Sequence, residues 1–425
     1  MLKRIFSAAF FSVASRFFST GTNLIIIFFI SRFLDADSLG QYGIAFFFFQ
    51  LFIVTSYFGL EVFLGKEVAH KREKPGSLSE LFSETLSAAI YGTIISLFLM
   101  LVFVIFYHRM DFTLMVLALA AGILYGLERN LGGFLLGREK VHIDAFYMFL
   151  SLLVTVVLIL IYRDSLNIPK IFLIRVFSLL IGVTGRVFAI AKDLPFVRLQ
   201  KKIAHFREIK FFWFFTGFTF LERQADLFVL SLFIDEKILG GYFLSLRIYL
   251  TVNLLIEVVA QALTPFISRV FRGKEAVGFR TFFNYLFFTS LLVGIILGAG
   301  LFFTRDFIIS LFNENLIPDS SSYLVILAFV VPFKVSIYML GSILSSSRYQ
   351  KARFYISLFT TLSFVISLIF LVESYSVFGA VYARAGLEVL TFFVSLIFVI
   401  RITKGYFYHE GHEEKLSGKI EEHEK

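Results

Sequence analysis

Residues 31–42 read SRFLDADSLGQY, and residues 231–242 read SLFIDEKILGGY. At an offset of 200, six of twelve positions agree: Ser31, Phe33, Asp35, Leu39, Gly40 and Tyr42 match Ser231, Phe233, Asp235, Leu239, Gly240 and Tyr242. Each copy lies between two long apolar runs, so the repeated piece is a connection between membrane helices. Asp can cap the helix that follows, Gly permits a tight turn and Tyr suits the interface, which gives the loop a structural role. Six crossings return a chain to the side it started from. Two copies six helices apart therefore share one orientation, and their pseudo-symmetry axis runs along the membrane normal.

The rest of the sequence agrees with a membrane reading. The 425 residues are 58% hydrophobic and 17% charged, and Phe alone contributes 59. A soluble domain would carry roughly 25% charged residues. With no Cys, disulfides, thiolate metal sites and cysteine nucleophiles are excluded. Lys3 and Arg4 precede an apolar run as in a signal peptide, but that run contains Arg16 and continues through Leu24–Ile30, so it reads as the first span.

A crossing needs about 20 mostly apolar residues. Twelve such runs appear, at 9–34, 41–65, 86–107, 112–136, 145–162, 168–191, 211–234, 241–267, 281–303, 321–346, 354–373 and 377–402. The expected fold is all-α: a polytopic protein of twelve transmembrane helices in two pseudo-symmetric six-helix halves around a central cavity. Its segments are an N-terminal half (1–191), a cytoplasmic linker (192–210), a C-terminal half (211–404) and a charged tail without regular structure (405–425). Basic residues give the orientation. The segments on the side of the N-terminus hold 26 Lys and Arg, and the opposite side holds only Arg109, Arg163, Lys170, Lys237 and Arg305. Both termini are expected in the cytoplasm, at the inner (cell) membrane. The net charge of +9 is then topology and contact with anionic headgroups, with no nucleic-acid partner.

Nine basic residues remain inside the spans: Arg16, Arg32, Arg129, Arg175, Arg186, Arg223, Arg247, Lys334 and Arg384. The acids in or beside them are Glu61, Glu84, Glu128, Glu222, Asp226, Glu257 and Glu388. Each costs about 2.5–3.5 kcal/mol at a helix centre facing lipid, so the central ones should face a wet cavity or one another. Arg32, Arg175, Arg186 and Arg247 lie near span ends, where long side chains can snorkel. Arg384 and Glu388 are four apart and read as an internal ion pair. Glu128 and Arg129 are neighbours on the helix and need partners elsewhere.

Polar residues at helical spacing mark four wet faces. They are Ser12, Arg16, Ser19, Thr20 and Asn23; Thr216, Thr219, Arg223 and Asp226; Asn253, Glu257 and Gln261; and Lys334, Tyr338, Ser342 and Ser345. The alternative is polar glue between helices. The basic excess, with forked arginine donors, fits an anionic headgroup such as a pyrophosphate. No segment is long enough to house an enzyme, no Gly-rich loop with Lys-Ser or Lys-Thr is present, and no cofactor is expected.

The stretches ISRFLDADSLGQYGIAF (30–46) and FGLEVFLGKEVA (58–69) resemble the polysaccharide-export branch of the multidrug/oligosaccharidyl-lipid/polysaccharide (MOP) superfamily, whose best-known members are O-antigen flippases. RQADLFVLSLFIDEKILGGYFLSLRI (223–248) is similar to the start of that family's second half, with Asp226 at its helix 7 acid. RDFIISLF (305–312) and LGSILSSSRYQKARF (340–354) are similar to its helix 9–11 region. The resemblance covers 1–404. It implies a flippase that passes polyprenyl-diphosphate-linked sugars to the outer leaflet for surface polysaccharide or lipopolysaccharide (O-antigen) synthesis, coupled to an ion gradient. Combined with the stripes, it places Arg16, Asn23, Arg129, Arg223, Asn253 and Lys334 on the lipid-linked oligosaccharide, with Asp226 and Glu257 binding a coupling proton or Na⁺. Membrane lipids, a polysaccharide polymerase and glycosyltransferases are the other expected partners. The rival readings are an organic-cation efflux transporter of the same superfamily and a polytopic glycosyltransferase or polymerase, the latter opposed by the lack of a large outer loop.

Overall fold

The computed structural model describes residues 2–57, 59–70, 75–191, 193, 206–271, 279–312, 319–346 and 350–423. These form helices α1 (Leu2–Phe33), α2 (Ala36–Tyr57), α3 (Leu60–His70), α4 (Pro75–Phe106), α5 (Phe112–Gly137) and α6 (Val141–Ile161). They continue with α7 (Ile168–Ala191), α8 (Phe206–Phe233), α9 (Glu236–Phe271), α10 (Phe279–Leu311), α11 (Ser320–Ser346) and α12 (Gln350–His423). No strand occurs among the described residues.

Apolar run length explains most of these elements. The run at 168–191 is α7 to the residue, and that at 112–136 is α5 within one. In α12 the window Lys351–Arg401 is 51 residues long. At 1.5 Å per residue that is about 75 Å, more than twice the hydrocarbon thickness of about 30 Å. The helix breaks at Ser376, where φ is 56° and ψ −133°, so two spans meet there as the sequence indicates. Helices α8 and α9, of 28 and 36 residues, are also long enough to cross.

Three expectations are corrected. The run 41–65 is two helices, because Gly59 takes φ 67° between α2 and α3. The run 281–303 is too short, because α10 continues to Leu311. The backbone of the tail stays helical to His423.

Helix α2 starts at Ala36 because Asp35 caps it. Its Oδ1 accepts the Ser38 backbone N–H at 2.8 Å, and hydrogen bonding from the Ser38 hydroxyl first, then from this N–H, holds the Asp35 carboxyl below its ordinary pKa. The cap is exposed and adds little to stability. Its part is to fix where the helix begins.

The described chain divides into two compact units. The first holds Met1–Arg247, Asp306–Tyr323 and Leu368–Ala380, and the second holds Ile248–Arg305, Leu324–Ser367 and Val381–Lys425. In the first, α5 packs on α2, α3 and α7, α1 packs on α6, and α2 packs on α4 and α8. Its core joins Phe63 and Leu64 of α3 to Leu131 and Phe134 of α5, with Trp213 at the margin. In the second, Leu340 and Ile343 of α11 pack with Leu286 of α10, Ile267 of α9 and Phe392 of α12.

The repeated motif meets its own copy inside the first unit. A Cβ placed on Gly40 would lie 1.9 Å from the Glu236 carbonyl oxygen, and one on Gly240 would lie 2.7 Å from the Ala36 oxygen and 3.1 Å from the Gly40 nitrogen. One turn on, a Cβ at Gly43 would meet Phe243, the residue 200 positions later, with its Cβ at 3.4 Å. Equivalent residues that touch must lie near the pseudo-twofold axis, so the axis passes between α2 and the start of α9. Tyr107 Oη donates to Ser231 Oγ at 2.8 Å, and Arg109 Nη1 donates to the Ile234 carbonyl at 2.6 Å, flanking the crossing.

Gly40→Ala should therefore destabilise the protein despite alanine's better helix propensity, by about 1–3 kcal/mol as overpacking generally does. Gly21→Ala, whose Cβ would find nothing within 4 Å, should be neutral or slightly stabilising. Thermal melts of both variants in detergent check the contrast.

Candidate functional site

Part of the polar stripe of α1 is engaged in hydrogen bonds. Ser19 Oγ and Tyr125 Oη share a hydrogen bond at 2.6 Å, and Asn23 Nδ2 donates to the Ser19 carbonyl at 3.3 Å. Arg16 and Asn23 are half-buried on this helix. The Ser12 side chain lies outside the described residues. On α8 the stripe turns from surface to core: Thr216 and Thr219 are half-buried, Arg223 is exposed and Asp226 is fully buried. Asp226 Oδ2 accepts from Tyr242 Oη at 2.5 Å, so the acid is tied to the repeat tyrosine on α9.

Of the eight residues singled out in the sequence, Arg16, Asn23, Arg129, Arg223 and Asp226 fall in the first unit. Asn253, Glu257 and Lys334 fall in the second. There Asn253 is buried on α9 and Glu257 is half-buried one turn on; the Gln261 side chain is outside the described residues. Lys334 Nζ lies 3.0 Å from Glu388 Oε1, and Tyr249 Oη donates to the same oxygen at 3.2 Å. The acid of α12 thus answers the lysine of α11, whereas the sequence paired it with Arg384. The Arg384 guanidinium lies 4.9 Å from the centre of the Phe364 ring.

In the first unit Glu128 and Arg129 point to different partners, as neighbours on a helix must. Arg129 forms an ion pair with Glu61. Glu128 Oε1 accepts from Arg186 Nη1 at 2.7 Å, and Asp144 Oδ1 accepts from Arg186 Nε at 2.8 Å. Ser15 of α1 donates to Asp144 Oδ2 at 2.6 Å. Arg186 is 0% exposed, so it does not snorkel, and two carboxylates supply its reason to stay. The sequence reading missed Asp144 because it began the fifth span at 145, whereas α6 starts at Val141. The structure makes room for the cluster with glycine: a Cβ at Gly182, one turn before Arg186, would fall 2.6 Å from Glu128 Oε1, and one at Gly132 would fall 3.0 Å from Asp144 Oδ1.

Arg175 does not snorkel either. It is buried with its guanidinium 4.1 Å from the Phe49 ring centre, and its Nη1 donates to Tyr42 Oη at 3.4 Å. Arg247 covers Phe46 at 4.1 Å and donates to Gln224 Oε1 at 2.8 Å. The aromatic run of α2 therefore holds two cations by its ring faces, a contact worth about 2 kcal/mol when desolvated. Arg32 alone of this group is exposed, beside Phe28. Among the described residues, no group of three His, Cys, Asp or Glu side chains could hold a metal ion.

The Lys334–Glu388 pair is buried, so removing one partner strands the other. Lys334→Met should cost about 3–5 kcal/mol, and adding Glu388→Leu should recover most of it. A double-mutant cycle on melting in detergent reads the coupling directly.

The model of the family described as polysaccharide biosynthesis protein matches residues 6–271, and the family model MatE matches residues 218–371. No curated protein matches by sequence. Among solved structures, an inward-facing multidrug resistance MATE family transporter of the MOP superfamily superposes with a TM-score of 0.70 at 14% identity, over 93% of this chain and 96% of that one. The lipid II flippase MurJ in an inward closed conformation gives 0.71 at 18% identity, over 92% and 87%. The eukaryotic MATE transporter AtDTX14 gives 0.64 at 14%, over 94% of each chain. The likeness shows the all-α fold of these transporters.

Proposed function

The chain belongs to the polysaccharide biosynthesis protein family, a group of MOP-superfamily transporters, and on that premise we propose that it flips a polyprenyl-diphosphate-linked oligosaccharide from the cytoplasmic to the outer leaflet. The observation that carries the substrate class is the family match over 6–271, which spans the whole first half and the start of the second. Arg16 and Arg223 are the residues we assign to the diphosphate, with Asn23 and Asn253 on the sugar. Arg129 and Lys334 contribute through the acids they pair with, Glu61 and Glu388. Asp226 and Glu257 are assigned to the coupling ion, a proton or Na⁺. The protein would work as two six-helix halves, 1–191 and 211–404, joined by the 192–210 linker. Both termini would lie in the cytoplasm at the inner membrane, and a polymerase and glycosyltransferases would work beside it in lipopolysaccharide or O-antigen synthesis.

Alternating access requires the crossing of α2 and α9 to part in each cycle. The native chain has no Cys, so a pair introduced there would be the only one. Gly43→Cys with Phe243→Cys removes the ring that a side chain at 43 would strike and leaves the two Cβ atoms 3.4 Å apart, close to disulfide spacing.

A second reading is favoured by the MatE match over 218–371: export of organic cations, with Asp226 and Glu257 as the charges that bind them. Proteoliposomes separate the two. Fluorescent polyprenyl-diphosphate oligosaccharide should reach the far leaflet only with protein present, and Arg16→Ala or Arg223→Ala should slow it at least tenfold. Oxidising the Gly43→Cys/Phe243→Cys variant should stop flipping, and reduction should restore it. Gradient-driven uptake of a cationic dye without oligosaccharide flipping would transfer the assignment to efflux.

A further inference from the structure

Glu128, Asp144 and Arg186 form a buried cluster whose charges do not balance. Four of the five N–H donors of the Arg186 guanidinium are engaged: Nε with Asp144 Oδ1, Nη1 with Glu128 Oε1 and the Gly182 carbonyl, and Nη2 with the Asp144 carbonyl. Asp144 spends its second oxygen on the Ser15 hydroxyl at 2.6 Å. Glu128 is 1% exposed, and no protein donor among the described residues reaches its Oε2.

The next charges outward do not help. Arg129, beside Glu128 in α5, is paired with Glu61 of α3. On the α6 side the guanidinium meets the Tyr147 ring at 5.9 Å, which supplies no charge. Three carboxylates and two guanidiniums leave one excess negative charge, and the one carboxylate oxygen of the Arg186 cluster without a donor is Glu128 Oε2. A bare buried carboxylate oxygen is costly, and a cluster adapts to such an excess by taking up a cation.

The packing on the Oε1 side of the same carboxylate is tight. A Cβ at Gly182 would already lie 2.6 Å from Glu128 Oε1, 2.7 Å from Ser151 Oγ and 3.1 Å from Arg186 Nη1. No three acidic or His side chains converge to ligate a metal ion among the described residues. A guanidinium already holds the other oxygen of the same carboxylate.

We propose that Glu128 is a proton-binding site of this transporter, with the proton carried on Oε2 while Oε1 accepts from Arg186. Binding forms one O–H bond and removes one negative charge, which makes the cluster neutral. Release needs Arg186 and Asp144 to shift so that water or a second cation can reach the carboxylate. The site lies in the first six-helix half, apart from Asp226 and Glu257. Its role as the coupling ion rests on the transporter reading of the previous section, whereas its occupancy does not.

Infrared spectroscopy of the reconstituted protein without substrate tests occupancy independently of transport. A protonated-carboxyl band should be present at neutral pH, be lost in Glu128→Gln and persist in Asp226→Asn. Selective ¹³C labelling of glutamate carboxyls in the native protein should shift the same band, which covers the case of a variant that does not fold. A band that is absent at neutral pH, survives Glu128→Gln in folded protein or fails to shift on labelling overturns the proposal. So does a melting temperature raised by sodium over choline in the native protein but not in Glu128→Gln, which would make the ion Na⁺.

Discussion

The Glu236 carbonyl oxygen occupies the place where a side chain at position 40 would begin. This one approach, backbone on backbone between α2 and α9, is available only to glycine. It ties the two copies of the repeat together at their shared axis. The neighbouring contacts follow from it: Gly43 under Phe243, Phe47 stacked on Phe228 at 4.9 Å, and Tyr107 on Ser231. In lipid there is little hydrophobic gain in bringing helices together, so small residues that admit close packing do much of the work. The repeat was conspicuous in sequence because both copies serve the same contact.

The second constraint is electrostatic. A charge in a span costs a few kcal/mol unless it finds water or a partner, and this chain places many there. Arg129, Arg186 and Lys334 each have a carboxylate. Arg175 rests on an aromatic face and a tyrosine hydroxyl instead. These arrangements reduce the basic excess that the sequence count offers to an anionic substrate. Arg16 and Arg223, the residues proposed for the diphosphate, lie on α1 and α8.

Sequence made the spans legible because hydropathy is a local property. It could not show the break at Gly59, since a glycine in an apolar run signals packing as readily as a turn. Distance from a span end was the only criterion for snorkelling, and it misread Arg175 and Arg186, whose fates depend on Phe49, Glu128 and Asp144 from other helices. Glu128 and Arg129 were legible as needing separate partners, because adjacent helical positions diverge by about 100°. Asp144 was hidden by an error of four residues in one helix start. The stripe containing Arg223 and Asp226 was legible as a spacing, but not that one end of it is exposed and the other sealed.

Charge stoichiometry distinguishes the buried pairs chemically. Lys334 and Glu388 each bring one charge to their contact, Tyr249 adds a donor to the same carboxylate oxygen, and Glu388 Oε2, like Glu128 Oε2, meets no protein donor among the described residues. Protonating that acid would strand an ammonium, so the pair gains nothing from a proton and behaves as a fixed strut. Arg186 serves two acids and satisfies only three of their four oxygens with Ser15's help. There a proton removes a cost instead of creating one. A transporter that responds to protons needs a buried group whose neutral form is tolerated without loss of its neighbours, and of these two clusters only the one around Glu128 meets that condition.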